Sequence, residues 1–211
     1  MKDFMGISTN YSNPQVNFGA TKLDNIKLRQ KVSDGTYKLV KANFCELDTK
    51  SAEDWGIMGK LCNLWKNCTT YVKDIADDFF DCDANSRFFM NEIVDEKNGN
   101  KVTSLMQLSN SKTKPSKELH IHYLQSAPDI ANLKSSSPIK GSGELSLYEA
   151  VKIAKKDKCK KVVLCSTNDS FYDAMGFKKK KDGTFFTTYS LTKKHFKDFL
   201  KKVEQKYDLK K

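Results

Sequence analysis

The sequence predicts an α/β (α+β) protein, with one mixed sheet carrying helices on its faces. Three observations predict it. Segments of strand and helix character alternate in the order β-α-α-β-β-β-α-β-α-β-β-α. One of them, KKVVLCS (Lys160 to Ser166), is a nearly continuous apolar run, the pattern of a strand covered on both faces. Turn signals at Asn98-Gly99 and Asp182-Gly183 mark hairpins.

Residues 1–35 are rich in Asn, Ser, Lys and Gly and predict a flexible leader, with one extended stretch at DNIKLRQKV. The domain then spans residues 36–211. YKLVKANFCEL (Tyr37 to Leu47) alternates apolar and polar residues and predicts a strand. Ser51 and Asp54 resemble a capping box for a helix with Trp55, Met58, Leu61, Cys62 and Trp65 on its inner face. TYVKDIADDFFD predicts a second helix. RFFMNEIV and KVTSLMQLS are strands flanking the Asn98-Gly99 turn. ELHIHYLQ (Glu118 to Gln125) is the next strand, closed by Pro128 and followed by a polar loop to Pro138. A helix runs from about Gly143 to Lys156. NDSFYDAM forms two helical turns stopped by Gly176. A hairpin follows, and Thr192 caps a last helix with Phe196, Phe199, Leu200, Val203 and Tyr207 inward.

A chain of 211 residues buries roughly 70% of its unfolded surface, so it needs no covalent staples. No apolar run approaches the roughly 20 residues of a membrane span, and the opening MKDFMGISTNYSNP lacks a signal-type apolar core. The expectation is a cytoplasmic protein. None of the six cysteines is spaced as CxxC, which argues against zinc and for core thiols. The formal charge of +11 is uneven. Residues 1–133 hold 17 basic and 17 acidic residues, and residues 134–211 hold 20 and 9. Such a field favours an anionic partner: nucleic acid, a phosphorylated cofactor or an acidic substrate. The excess is almost all lysine, so a bidentate arginine code for bases is absent.

Two motifs carry candidate chemistry. Lys140-Gly141-Ser142-Gly143 lies at the mouth of a helix, where first-turn amides and the helix dipole suit an anion. It is neither the GxGxxG nor the Walker fingerprint, since Leu145 and Ser146 follow Glu144. A turn glycine pair entering a helix is the competing interpretation. FYDAMGF (Phe171 to Phe177) is a short amphipathic helix with a glycine stop. A tyrosine there, with an ordinary pKa of about 10, can protonate a thiolate of ordinary pKa about 8.5.

Together, in this order and spacing, a strand, KGxG, an amphipathic helix, a strand and FYxxxGF resemble the GNAT superfamily of acyl-CoA-dependent N-acetyltransferases. The resemblance covers Tyr37 to Leu191 in element order and is specific from Glu118 to Phe177. It implies a mostly antiparallel central sheet with a splayed strand pair at a cofactor wedge. It also implies acetyl-CoA as the cofactor, with its pyrophosphate on the amides of Gly141, Ser142, Gly143 and Glu144 and on Lys140. Its pantetheine arm would lie along Leu124 and Gln125, with Asn168 a further contact. Tyr172 matches the general acid. The sequence departs from the pattern at Pro138, which stands where the family often has Arg or Gln, and Asn168 lies closer to the tyrosine than usual.

A base should take the amine's proton. Glu118, His120 and His122 share one strand face by period-two spacing, and His120 is the expected base because it lies about four residues before the acetyl site that the resemblance implies, while a histidine titrating near 6.5 is a competent base at pH 7. The HxH pair has no third metal ligand near it in sequence. The implied acceptor is a small-molecule or peptide primary amine. The alternatives are a basic nucleic-acid-binding module and a GNAT-like protein that binds CoA without turnover.

Overall fold

The computed structural model describes residues 20–66, 71–95, 97, 99–110, 118–131, 138–180 and 187–209. The strands are β1 (Thr21–Lys31), β2 (Tyr37–Leu47), β3 (Ser86–Ile93), β4 (Lys101–Asn110), β5 (Glu118–Ser126), β6 (Ile139–Lys140), β7 (Lys161–Ser166), β8 (Lys178–Lys179) and β9 (Thr187–Thr192). The helices are α1 (Ala52–Trp65), α2 (Tyr71–Phe80), α3 (Pro128–Ala131), α4 (Ser142–Lys156), α5 (Asp169–Ala174) and α6 (Lys193–Tyr207). The described strands form one sheet in the order β6-β1-β2-β3-β4-β5-β7-β9-β8. Every pairing is antiparallel except β5 with β7, which α4 connects as a crossover.

β1 corrects the expected leader. The extended stretch suspected there is a strand of 11 residues, paired along its length with β2. Ile26 and Leu28 are buried in the core. Five charged residues among its eleven hid the strand, because only Ile26 and Leu28 mark its inner face. Residues 1–19 lie outside the described residues, as do the predicted turn residues Asp182 and Gly183.

Helices cover both faces. On β3, Phe88 meets Phe79 of α2 with ring centroids 5.1 Å apart, whereas Asn91 bonds to α4. Residues three apart on a strand face opposite ways, so α2 and α4 lie on opposite sides of the sheet. α6 packs on α4 and touches both β9 and β1, crossing α4 from one part of the sheet to the other. Its buried residues are the five predicted inward ones.

Two details of α1 differ from expectation. Trp55 is 43% exposed, and its indole nitrogen donates to the Thr49 carbonyl. Asp54 takes the inward place. Its amide is capped by Ser51 Oγ at 3.2 Å and its Oδ2 accepts the Asp48 amide at 2.8 Å. The short polar cap therefore turns the helix so that Ile57, Met58, Leu61 and Trp65 form the buried face. Among the described residues no helix is long and apolar enough to cross a membrane.

Candidate active site at the β5–β7 opening

β5 and β7 are in parallel register only from Glu118↔Lys161 to Ile121↔Leu164. β5 then continues to Ser126 and β7 to Ser166, with β7 still paired to β9. The two strands part, and the sheet opens between them. A bulge contributes to the parting. Gln107 of β4 pairs with Tyr123 and Leu108 with Ile121, so His122 is the extra residue on β5. A bulge bends its strand and raises local twist. Leu124 and Gln125 lie just beyond it, opposite Met106 and Leu105.

The KGSG loop stands at this opening. Gly141 is the residue before α4, with φ +98°. A side chain there is excluded twice, by the left-handed backbone and by the Tyr207 ring, whose atoms would lie 2.7 Å from a Cβ. Gly143 is different. Its added Cβ would meet a Phe171 ring carbon at 3.5 Å and Ser126 Oγ at 3.6 Å. These contacts place the first turn of α4 beside the end of β5 and the start of α5. Lys140 pairs with Arg29 across β6 and β1. An arginine from the N-terminal strand thus stands next to a loop that has Pro138 at its own front position.

The first turn of α4 is pinned from below. Asn91 Nδ2 donates to the Ser142 carbonyl at 3.1 Å and to Ser146 Oγ at 2.9 Å. Thr103 Oγ1 lies 2.7 Å from Ser142 Oγ, and Ser104 Oγ lies 2.9 Å from Ser146 Oγ. All five residues are buried. A connected buried network of this kind fixes one arrangement of its parts. The sequence signal for it was two serines four apart on an otherwise apolar helix face.

From the side, α6 closes on the same turn. Glu144 accepts from Lys206 Nζ at 2.6 and 2.7 Å and from the Tyr207 hydroxyl. Burial, and then the bond to Glu144, push the Tyr207 phenol well above its ordinary value, while Arg29 acts in the other direction. Tyr207 therefore remains a donor.

Tyr172 lies on α5, directly after β7. Asn168 is the N-cap of that helix, accepting the Phe171 amide at 3.3 Å and the Ser170 hydroxyl at 2.9 Å. Its side-chain oxygen thus serves the helix start. Tyr172 is 9% exposed, among Phe171, Phe177 and Tyr189. Burial, with a smaller contribution from Tyr71, pushes its phenol up to about 12. Tyr71 of α2 in turn packs on Tyr123 of β5 at 5.8 Å. Neither tyrosine belongs to the KGSG or FYDAMGF motif.

His120 lies in the paired half of β5, opposite Ser109 and Val163. Its Nε2 is 3.6 Å from Glu118 Oε2, and Lys161 holds the other Glu118 oxygen at 2.7 Å. Burial lowers the His120 pKa below 6.5, outweighing the upward pull of Glu118. His122 Nε2 lies 2.6 Å from Ser109 Oγ. Among the described residues no group of three or more His, Cys, Asp or Glu could hold a metal ion.

A sheet that is antiparallel except for one splayed parallel pair, with a glycine-mouthed helix on the opening, is the fold of the GNAT acetyltransferases. A candidate acetyltransferase from Exiguobacterium sp. 255-15 is similar at 16% identity, over 74% of this chain and 97% of that one, with a TM-score of 0.52. FdhC in its apo form, a nucleotide-linked sugar GNAT, is similar at 13% identity, over 88% of this chain and 97% of that one, also with a TM-score of 0.52. No family model and no curated protein matches the chain. At these identities the likeness defines the fold and leaves the reaction to be argued from the site.

Proposed function

We propose that the protein is an N-acetyltransferase that moves an acetyl group from acetyl-CoA to a primary amine by direct attack. The observation that carries this reading is the parting of β5 from β7 after Ile121↔Leu164, with the mouth of α4 beside Ser126 of β5 and Phe171 of α5, the helix that carries Tyr172. The residues fit the donor. The amides of Gly141, Ser142, Gly143 and Glu144, with Lys140, hold the pyrophosphate, and β5 at Leu124 and Gln125 lines the arm. When bound, acetyl-CoA supplies an activated thioester carbonyl.

The amine nitrogen forms a bond to that carbonyl carbon and loses a proton, and the carbon–sulfur bond breaks. His120 is the base that accepts the proton, directly or through water. Its lowered pKa keeps the ring neutral at pH 7, as a base requires. Tyr172 donates to the departing sulfur. Burial that raises the phenol raises a thiolate beside it for the same reason, so donor and acceptor stay matched. The setting is cytoplasmic in this reading, and among the described residues Cys45, Cys62, Cys82 and Cys165 are free thiols.

Thermal denaturation with acetyl-CoA, and in parallel with RNA, tests the proposal. Acetyl-CoA should raise the melting temperature and RNA should not. A shift with RNA alone, steeply weakened by salt, would instead favour a nucleic-acid-binding module.

A further inference from the structure

We infer that Lys206 and Tyr207 of α6 are positioning residues of the donor site, holding the Glu144 carboxylate aside and offsetting its charge so that the α4 mouth can take a diphosphate. The inference rests on the reading of that mouth as the pyrophosphate site. Glu144 is in the first turn of α4, where its negative charge favours the helix and opposes a second anion on the same amides. Both its oxygens are within 2.7 Å of Lys206 Nζ, and the Tyr207 hydroxyl also bonds to it.

The helix and the loop fit each other. The Tyr207 ring occupies the space that any side chain at residue 141 would need, so the loop can pass only as glycine. Lys27 fixes the end of α6 to β1 through the Asp208 side chain at 2.9 Å and its carbonyl at 2.6 Å. The clamp thus joins β1, α4 and α6. Arg29 adds positive charge near the Tyr207 hydroxyl. The loop lacks an arginine of its own at Pro138. With that side-chain contact missing, an uncompensated carboxylate in the first turn would weigh heavily on phosphate binding.

The test compares coenzyme A with pantetheine, which lacks the phosphates, by titration calorimetry. Lys206 is exposed, so Lys206→Ala leaves the core intact. Lys206→Ala should weaken coenzyme A roughly 2- to 5-fold, the size of one charge at a helix end, while the affinity for pantetheine holds. Tyr207→Phe keeps the ring against Gly141 and should shift coenzyme A binding in the same direction. Adding Glu144→Gln to Lys206→Ala should restore the affinity. Unchanged binding in Lys206→Ala overturns the inference. So does a loss that persists in the double variant, since Lys206 would then touch phosphate itself. Wild-type protein that binds pantetheine no more weakly than coenzyme A overturns the pyrophosphate reading, and the inference with it.

Discussion

The two halves of β5 differ in what they face. From Glu118 to Ile121 the strand is stitched to β7, and its side chains alternate between buried Leu119 and Ile121 and the polar row of Glu118 and His120. From Tyr123 to Ser126 it has left β7, and beside it stand Gly143, Phe171 and Tyr71. His122, the bulge residue, separates the halves. The difference teaches that the inserted residue and the end of the pairing with β7 fall together, and in the proposed reading the strand beyond them lines the donor site. The closed half supplies rigidity, and the open half supplies access.

The largest effect expected from this contrast is at the open half. Tyr172→Phe removes one oxygen and keeps the ring among Phe171, Phe177 and Tyr189. Steady-state turnover should fall roughly 10²–10⁴-fold, as for loss of a general acid, with little change in melting temperature. Unchanged turnover would place the proton donor elsewhere and leave Tyr172 a packing residue.

Much of this contrast was legible in the sequence. The periodicity of ELHIHYLQ gave its two faces, and the resemblance carried by the glycine pair and FYDAMGF implied the opening. Three things were not legible. A bulge leaves no signature in ELHIHYLQ, because register depends on the partner strand. β1 was masked by its lysines, aspartate and arginine, so only two buried residues spoke for it. The Glu144–Lys206–Tyr207 cluster joins residues about 60 positions apart, and no local pattern announces such a contact. Trp55 misled in the other direction. Its helical spacing with Met58, Leu61 and Trp65 put it on the inner face, but the Ser51–Asp54 cap set the rotation of α1 and left the indole outside.

A smaller effect separates the two loop glycines. At Gly143 an added Cβ makes ordinary contacts with Phe171 and Ser126, so Gly143→Ala should bind acetyl-CoA nearly as the parent does. Gly143→Phe should fill the gap between α4 and the end of β5. At a ligand concentration about 100 times Kd, binding stabilises by about 2.7 kcal/mol, or a rise of about 5–10 °C for a domain of this size. Gly143→Phe should abolish that rise while the unliganded protein melts as before. If the rise survives, the phosphates bind away from this mouth, and the open half loses its part in donor binding.

The smallest effect concerns the closed half and asks whether it contributes chemistry at all. A histidine base works only when neutral. Burial favours the neutral form of His120 and outweighs Glu118, so its pKa in the folded protein lies below 6.5. The sign follows directly. Activity should hold as pH falls through 6.5 and decline only when pH passes below the lowered value, by about tenfold per unit. A profile of kcat/KM against pH would show the limb, and His120→Gln should flatten it while lowering the plateau. Lys161 enters the test as well, because it holds Glu118 and so limits how far that carboxylate can raise the ring. Lys161→Met should free Glu118 to pull the limb upward toward 6.5. A limb that stays in place in both variants belongs to another group. The polar row of the closed half would then be a solvated sheet face, and all the chemistry would lie beyond the bulge.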